Sequence, residues 1–462
     1  MNNSKNKKMI VVLGLLIALL LGIALYMTYF QLVEANFYAN HDYNSRNWVD
    51  ESKILRGTIR DKNGNTLAYT ERLEDGSMKR INTYNYMYTP IIGYTSPELG
   101  KSGIEQKYNR ELLNIPDNYD LISQLEAAYK TNERGKDIYL TIDSDIQSYM
   151  YDLLDGYKGS IVVIEPDTGN ILSMISRPSF NINKLKENWD TLIQSEDGVL
   201  INRATQGLYT PGSIFKIISS IALLEEDINL EYLDQGSTTI NGYTISNYKG
   251  REYGDIGLRE ALIKSSNAYF SDKSKELKNI DLLRVTNSFM LGKAYEFDVN
   301  RSLSRIPYNN NLDELEKAVT AFGQGETLVT PLDMATMIAT IANDGVMMKP
   351  RLSNKIVLDN KIDAIEPIIL SVAVEKSIND TMKEYLTDTA TENNRILSNG
   401  TKLAGKSGTA ETDTLEHSWY VGYGPSESPE YAIAIVLEHA GVENSQGAGK
   451  IFNRAMEYLL NR

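Results

Sequence analysis

Ser213 and Lys216 stand one helical turn apart in the segment Tyr209-Thr210-Pro211-Gly212-Ser213-Ile214-Phe215-Lys216, which leads directly into the apolar run Ile217 to Leu224. Pro-Gly before such a run is helix-start punctuation, so Ser213 belongs at a helix N-terminus. A spacing of three puts the two side chains on one face of the helix, and the helix dipole favours an alkoxide developing there. A serine hydroxyl is a weak nucleophile until a base takes its proton. A lysine becomes that base when burial and a second cation depress its pKa enough for the neutral amine to exist. The chemistry implied is covalent acyl transfer through serine.

Taken alone the spacing is a poor signal, since it recurs at Ser4/Lys7 and Ser246/Lys249. Two further segments set Ser213 apart. Ser265-Ser266-Asn267 falls near the end of a predicted helix, and Lys406-Ser407-Gly408-Thr409 falls on a predicted strand. In this order and with these separations, the three segments resemble the penicillin-binding transpeptidases, whose signature is S-x-x-K, S-x-N and K-[ST]-G. Arg56 to Gly64 (RGTIRDKNG) and Gly100 to Tyr108 (GKSGIEQKY) are similar to membrane-proximal motifs of the monofunctional class B members. Phe322 to Gly325, Thr330 to Asp333 and Trp419 to Gly422 are similar to segments of the transpeptidase domain.

The resemblance implies a peptidoglycan D,D-transpeptidase that β-lactams inhibit covalently. Ser213 would attack the bond between the terminal D-alanines of a stem peptide, Lys216 would take its proton, Ser265 would pass a proton to the leaving amine, and Asn267 would hold Lys216 and the substrate amide. Lys406, Ser407 and Thr409 would bind the terminal carboxylate, Gly408 would leave room for the substrate strand, and the backbone N–H groups of Ser213 and Thr409 would form the oxyanion hole. A membrane glycan polymerase is the partner such enzymes usually serve, in cell shape or division. A β-lactamase, a carboxypeptidase or a β-lactam sensor would use the same motifs, and a non-catalytic scaffold of a wall-synthesis complex is a further alternative. Ser407 replaces the threonine of many relatives, the pedestal is shorter than is usual for the class, and the reading leaves no room for an appended C-terminal module.

The elements that must position these residues follow from pattern. Gly159 to Glu165 and Asn170 to Ser176 are β-branched apolar runs joined by Pro166-Asp167-Thr168-Gly169, a hairpin signal. Apolar residues at helical spacing predict helices over Ser213 to Glu225, Leu258 to Phe270, Ile280 to Met290, Pro331 to Asn343 and Val372 to Leu386. Strands are predicted at Lys402 to Thr409, Trp419 to Tyr423 and Tyr431 to Leu437, then a helix over Lys450 to Leu460. Segregated strands and helices, without alternating βαβ units, predict an α+β domain over residues 138–462: an antiparallel sheet with an inserted helical subdomain, the transpeptidase and serine β-lactamase-like architecture. Residues 31–137, with strand-like Lys53 to Arg60, turns at Lys62-Asn63-Gly64 and Glu74-Asp75-Gly76 and a polar linker from Thr131 to Asp137, form a small N-terminal pedestal.

Met9 to Tyr29 carries no charge and at 1.5 Å per residue is long enough to cross a hydrocarbon core of about 30 Å. Lys5, Lys7 and Lys8 lie in the preceding tail, residues 1–8, and no Lys or Arg follows until Arg46, which predicts a single-pass anchor with its N-terminus in the cytoplasm and its catalytic domain outside. A cleaved signal peptide ending near Ala35 is the alternative, disfavoured by the length of the apolar run.

Several classes are disfavoured. A net charge of −14 argues against nucleic acid, and the absence of cysteine removes disulfides and thiolate chemistry. Gly400 to Ser407 satisfies the P-loop formula but lacks the strand before it and the helix after it. Lys101-Ser102-Gly103 repeats the third motif in the pedestal, where a turn is expected. His41, His417 and His439 are the histidines, none in a hydrolase or metal pattern, so no metal or cofactor is expected.

Overall fold

The computed structural model describes residues 2–31, 54–115, 134–226, 228–309, 312–411, 415–441 and 447–462. The chain divides into two compact units, residues 1–54 with 116–133, and residues 55–115 with 134–462. In the first, helix α1 spans Asn2–Tyr29. From Met9 to Tyr29 its large apolar side chains are exposed all round, with Leu15 at 66% and Leu20 at 65%. A helix apolar on every face has no polar side to turn to water, and this one fits a single-pass membrane anchor.

The second unit holds two principal sheets. Strands β1 (Ile59–Arg60), β2 (Thr66–Arg72) and β3 (Met78–Asn82) follow one another, and the short helix α2 (Gly103–Lys107) lies further along, after a helical turn at Thr89–Ile92 and the short strand pair Thr95–Ser96 and Gly100–Lys101. Strand β4 (Asp137–Leu140) then pairs in parallel with β1, Ile59 opposite Ile138. Helix α3 (Ser144–Leu153) leads to β5 (Gly159–Ile164) and β6 (Ile171–Arg177), joined by the turn in which the Gly169 N–H donates to the Glu165 carbonyl at 2.9 Å. Helix α4 is Lys216–Glu225, α5 is Leu258–Lys264, α6 is Asn267–Lys273, α7 is Asn279–Ser288 and α8 is Pro331–Ala342. Thr330 caps α8 by accepting from the Asp333 N–H at 3.1 Å, with Pro331 in the first turn, a start legible in the sequence. A hairpin, β7 (Ser353–Leu358) and β8 (Lys361–Ala364), and helix α9 (Lys376–Glu392) precede β9 (Ala404–Ala410), β10 (His417–Gly424), β11 (Tyr431–Leu437) and α10 (Gly447–Leu460).

The five-stranded sheet runs β9-β10-β11-β5-β6 and is antiparallel throughout. Successive residues alternate between two cores. Val162, Ile164, Ala434 and Val436 pack with Met334, Ile338 and Ile341 of α8, while Ile161, Val163, Ile433 and Ile435 pack with Met150 of α3 and Phe452 and Met456 of α10. A sheet covered on both faces explains why these strands read as continuous apolar runs rather than alternating ones, and each buried aliphatic side chain contributes about 1.5–3 kcal/mol. The strand β9 is left at the sheet edge, where it borders the Pro211 to Ile214 turn.

Four element predictions need correction. Leu258 to Phe270 is two helices, because Ser265 takes a left-handed conformation (φ +58°) and Ser266 caps α6, its Oγ accepting from the Tyr269 N–H at 2.9 Å. A local serine cap competes with helix propagation, which hydrophobic spacing does not register. The helix expected from Val372 starts at Lys376, since Ile369–Val372 pairs as a strand with Val346–Met348. The strand expected over Lys53 to Arg60 reduces to Ile59–Arg60, with Leu55 in an isolated bridge and Lys53 outside the described residues. Asp137, expected in a linker, begins β4; Thr131 to Glu133 lie outside the described residues. The six-stranded sheet, ordered β8-β7-β4-β1-β2-β3, thus takes strands from the chain on both sides of residue 138.

The two pedestal motifs meet in one buried cluster. Arg56 Nε donates to Glu105 Oε2 at 2.6 Å and Arg80 Nε to Glu105 Oε1 at 2.7 Å, with the Glu105 side chain 2% exposed. Burial alone would raise the Glu105 pKa, but Arg80 and Arg56 together outweigh it and hold the carboxylate below its usual range. Removing one member of a buried ion network leaves uncompensated charge, so Glu105→Gln is expected to lower stability by about 3–5 kcal/mol. Chemical denaturation of the purified chain checks this; an unchanged midpoint would show that the arginines find other partners.

Candidate active site

The turn bearing Ser213 is held from three directions. Tyr209 and Val329 exchange backbone hydrogen bonds at 2.9 and 2.8 Å, the Gly212 N–H donates to the Gly323 carbonyl at 2.9 Å, and Trp419 Nε1 of β10 donates to the Thr210 carbonyl at 3.0 Å. Gly212 lies at φ +57°, and a Cβ there would stand 2.3 Å from the Thr409 carbonyl oxygen, so only glycine lets the turn press against β9. A Cβ on Gly408 would similarly meet the Pro211 carbonyl oxygen at 2.9 Å. The 3₁₀ turn Gly212–Phe215 then winds into α4, leaving Ser213 partly exposed and Lys216 fully buried at 0%.

The Lys216 amine donates to the Ser265 carbonyl at 2.6 Å, to Asn267 Oδ1 at 2.8 Å and to Ser265 Oγ at 3.2 Å. Lys406, 2% exposed on β9, donates to Ser265 Oγ and to the Ser407 carbonyl, each at 3.0 Å. Three segments distant in sequence therefore converge, with Ser265 Oγ bridging two amines no more than about 6 Å apart, the range in which like charges shift each other's pKa. The Ser213 hydroxyl is not among the acceptors of Lys216, although its helix places it one turn away. Such a bond is often long before substrate arrives. The side chains of Ser407 and Thr409 are partly exposed on β9, and Gly408 is buried opposite Trp419.

Neither amine has a carboxylate within ion-pair distance among the described residues. Burial, and secondarily the charge on Lys406, drives the Lys216 pKa well below the ordinary lysine value. Burial lowers Lys406 to about 7. Burial and the neighbouring Lys406 amine thus favour the uncharged form of Lys216.

A supporting network carried no sequence signal. Buried Ser266 donates from its Oγ to Asp234 Oδ2 at 2.5 Å, Asn247 Nδ2 donates to both Asp234 oxygens at 2.8 and 3.0 Å, and the Ala268 N–H donates to Asn247 Oδ1 at 3.0 Å. It fixes the turn that aims Ser265 and Asn267. Asn267 Nδ2 in turn donates to the Ser246 carbonyl at 3.1 Å. Elsewhere, His417 Nδ1 accepts from the His439 N–H at 3.1 Å and its ring lies edge-on to Tyr209; His41 is outside the described residues. Gly400 to Ser407 runs into β9, not a helix, and Lys101-Ser102-Gly103, expected as a turn, ends a short strand at Lys101 and opens α2 at Gly103.

The fold and this site define a serine acyl-transferase of the penicillin-recognising type. Residues 159–457 match the penicillin-binding protein transpeptidase domain, and residues 56–138 match the penicillin-binding protein A dimerisation domain. The chain is 28% identical to the peptidoglycan D,D-transpeptidase PbpA of Mycolicibacterium smegmatis, over 97% of this chain and 96% of that protein. Among solved structures, the D,D-transpeptidase domain of a peptidoglycan glycosyltransferase from Eggerthella lenta superimposes with a TM-score of 0.80 at 29% identity, covering 88% of this chain and 99% of that one. Penicillin-binding protein A from M. tuberculosis, as its imipenem acyl-enzyme complex, gives 0.81 at 25% identity over 89% and 100%. The chain belongs to the penicillin-binding protein transpeptidase family.

Removing the second cation tests the electrostatics directly. In Lys406→Met the Lys216 amine is expected to hold its proton to higher pH, and NMR titration of the Lys216 Cε resonance reads that shift. An unchanged titration would assign the depression to burial alone.

Proposed function

We propose that the protein is a peptidoglycan D,D-transpeptidase that cross-links stem peptides through an acyl-enzyme on Ser213 and is inhibited covalently by β-lactams. The observation that carries this reading is the buried Lys216 amine, held by Ser265 and Asn267 beside a second buried cation with no carboxylate to keep it charged. Lys216 removes the Ser213 proton as Oγ attacks the carbonyl between the terminal D-alanines. The N–H groups of Ser213 and Thr409 stabilise the tetrahedral oxyanion, a contribution worth several kcal/mol in acyl transfer. Ser265 Oγ contacts both amines, so it relays the proton from Lys216 to the departing D-alanine nitrogen as the C–N bond breaks. Asn267 fixes the Lys216 amine and the substrate amide. Lys406, with the hydroxyls of Ser407 and Thr409, takes the terminal carboxylate, while Gly408 lets the donor lie along β9. An amine of a second stem then attacks the ester and releases Ser213.

In this reading Met9 to Tyr29 is the anchor, with its N-terminus in the cytoplasm and the catalytic domain acting on the outer side of the membrane; the apolar span and the Lys5, Lys7 and Lys8 that precede it support this. The matched ranges, 56–138 and 159–457, support a functional division into a pedestal up to residue 137 and a catalytic domain from residue 138. A membrane glycan polymerase as partner follows from the family resemblance alone.

Mass spectrometry of the detergent-solubilised chain after exposure to penicillin is expected to find a persistent adduct on Ser213, lost in Ser213→Ala. No adduct would sink the proposal. Rapid clearance with drug hydrolysis would assign a β-lactamase instead.

A further inference from the structure

The hydrogen bonds link the site into one continuous chain of contacts. Lys406 contacts Ser265, Ser265 contacts Lys216, Lys216 contacts Asn267, and Asn267 Nδ2 reaches the Ser246 carbonyl. Beyond Ser246, at the end of the hairpin Ser237–Ile240 and Tyr243–Ser246, the chain makes a compact tip of residues 247–251. Adjacent extended residues span at most about 3.6 Å each, so Tyr248 stands within about 7 Å of Ser246. The tip is rigid. The Gly250 N–H donates to the Asn247 carbonyl at 2.8 Å, the Arg251 N–H to the Tyr248 carbonyl at 3.4 Å, and Asn247 Nδ2 to the Arg251 carbonyl at 2.9 Å. The same Asn247 side chain braces Ala268 and Asp234, so the tip and the Ser265 to Asn267 turn are positioned together.

From this frame Tyr248, Lys249 and Arg251 project into solvent, Tyr248 at 54% exposure. Lys249 Nζ stands 5.2 Å and Arg251 Cζ 6.0 Å from the Tyr248 ring centroid, so the two cations share one aromatic platform. Lys249 is left-handed (φ +57°, ψ +25°), a conformation that favours glycine or asparagine. Placing a long cationic side chain there costs backbone strain, and the side chain makes no ion pair among the described residues. Glu252 follows as the one acidic residue of the segment, so the tip keeps a net positive charge.

We infer that the tip formed by Tyr248, Lys249 and Arg251 is a specificity element that recognises an acidic group on the donor stem, upstream of the D-alanyl-D-alanine end. This rests on the transpeptidase reading and extends it. A donor whose terminal carboxylate sits at Lys406 and whose scissile carbonyl sits at Ser213 continues past Asn267, which brings its preceding residues alongside the tip. Two fixed cations on an aromatic face there favour a carboxylate over its amide.

The test uses two penicillins with stem-like side chains, one ending in a carboxylate and one in the corresponding carboxamide, and follows acylation of Ser213 in the detergent-solubilised full chain. At low salt the acidic probe is expected to react about three- to tenfold faster, in line with two exposed charge pairs. In Lys249→Ala/Arg251→Ala that ratio should fall to near one, while the neutral probe keeps its rate within about twofold. Equal rates in the wild type, or an unaltered ratio in the variant, would overturn the inference. So would a parallel loss for both probes, which would make the tip a structural strut. Absence of any adduct would strike the transpeptidase reading itself.

Discussion

The architecture around Ser213 centres on one buried amine whose surroundings disfavour its charged form. Lysine in water holds its proton to about pH 10.4, and a lysine out of water gives it up unless a carboxylate compensates. Here Lys216 is buried with only neutral oxygens as acceptors, and the nearest cation is a second buried lysine. An acidic residue in the pocket would restore the charge and, on the proposed mechanism, remove the base. Among the described residues neither amine has an acidic partner within ion-pair distance, in a chain of net charge −14, and the proposed chemistry requires that condition.

That condition has to be met by elements that do not touch one another in sequence. Lys216 arrives on α4, Ser265 and Asn267 on the junction of α5 and α6, and Lys406 on the edge strand β9. The sheet supplies rigidity because both its faces are covered, and its free edge supplies a place where an extended peptide can lie without disturbing a core. Trp419 links the two functions. It is buried within β10, opposite Gly408, and its indole holds the turn that carries Ser213.

Much of this was legible in the residues themselves. Helical spacing put Ser213 and Lys216 together, and β-branched runs marked β5, β6 and β11 within a residue or two, because those signals are local. What escaped was non-local or competitive. The strands β4 and β7, far apart in sequence, pair only through tertiary contacts, with Ile138 opposite Ile356, and neither has enough pattern of its own to be distinguished from loop. Asp234 and Asn247 read as ordinary turn residues until the fold brings them to Ser266. The break at Ser265 was hidden because Leu258 to Phe270 keeps a helical apolar pattern straight through it.

That break carries the last step of the argument. A continuous helix would hold residue 265 at a regular position with its carbonyl consumed by the residue four places on, whereas the left-handed turn frees that carbonyl to accept from Lys216 at 2.6 Å. A non-glycine residue in this conformation costs roughly 1–3 kcal/mol and persists only where its surroundings over-determine it. Ser266 provides that determination by capping α6 and bonding Asp234, with Asn247 closing the cluster. The middle residue of Ser265-Ser266-Asn267, which faces away from the chemistry into the core, therefore secures the geometry of the two that face it, and a substitution there acts on Lys216 without touching it.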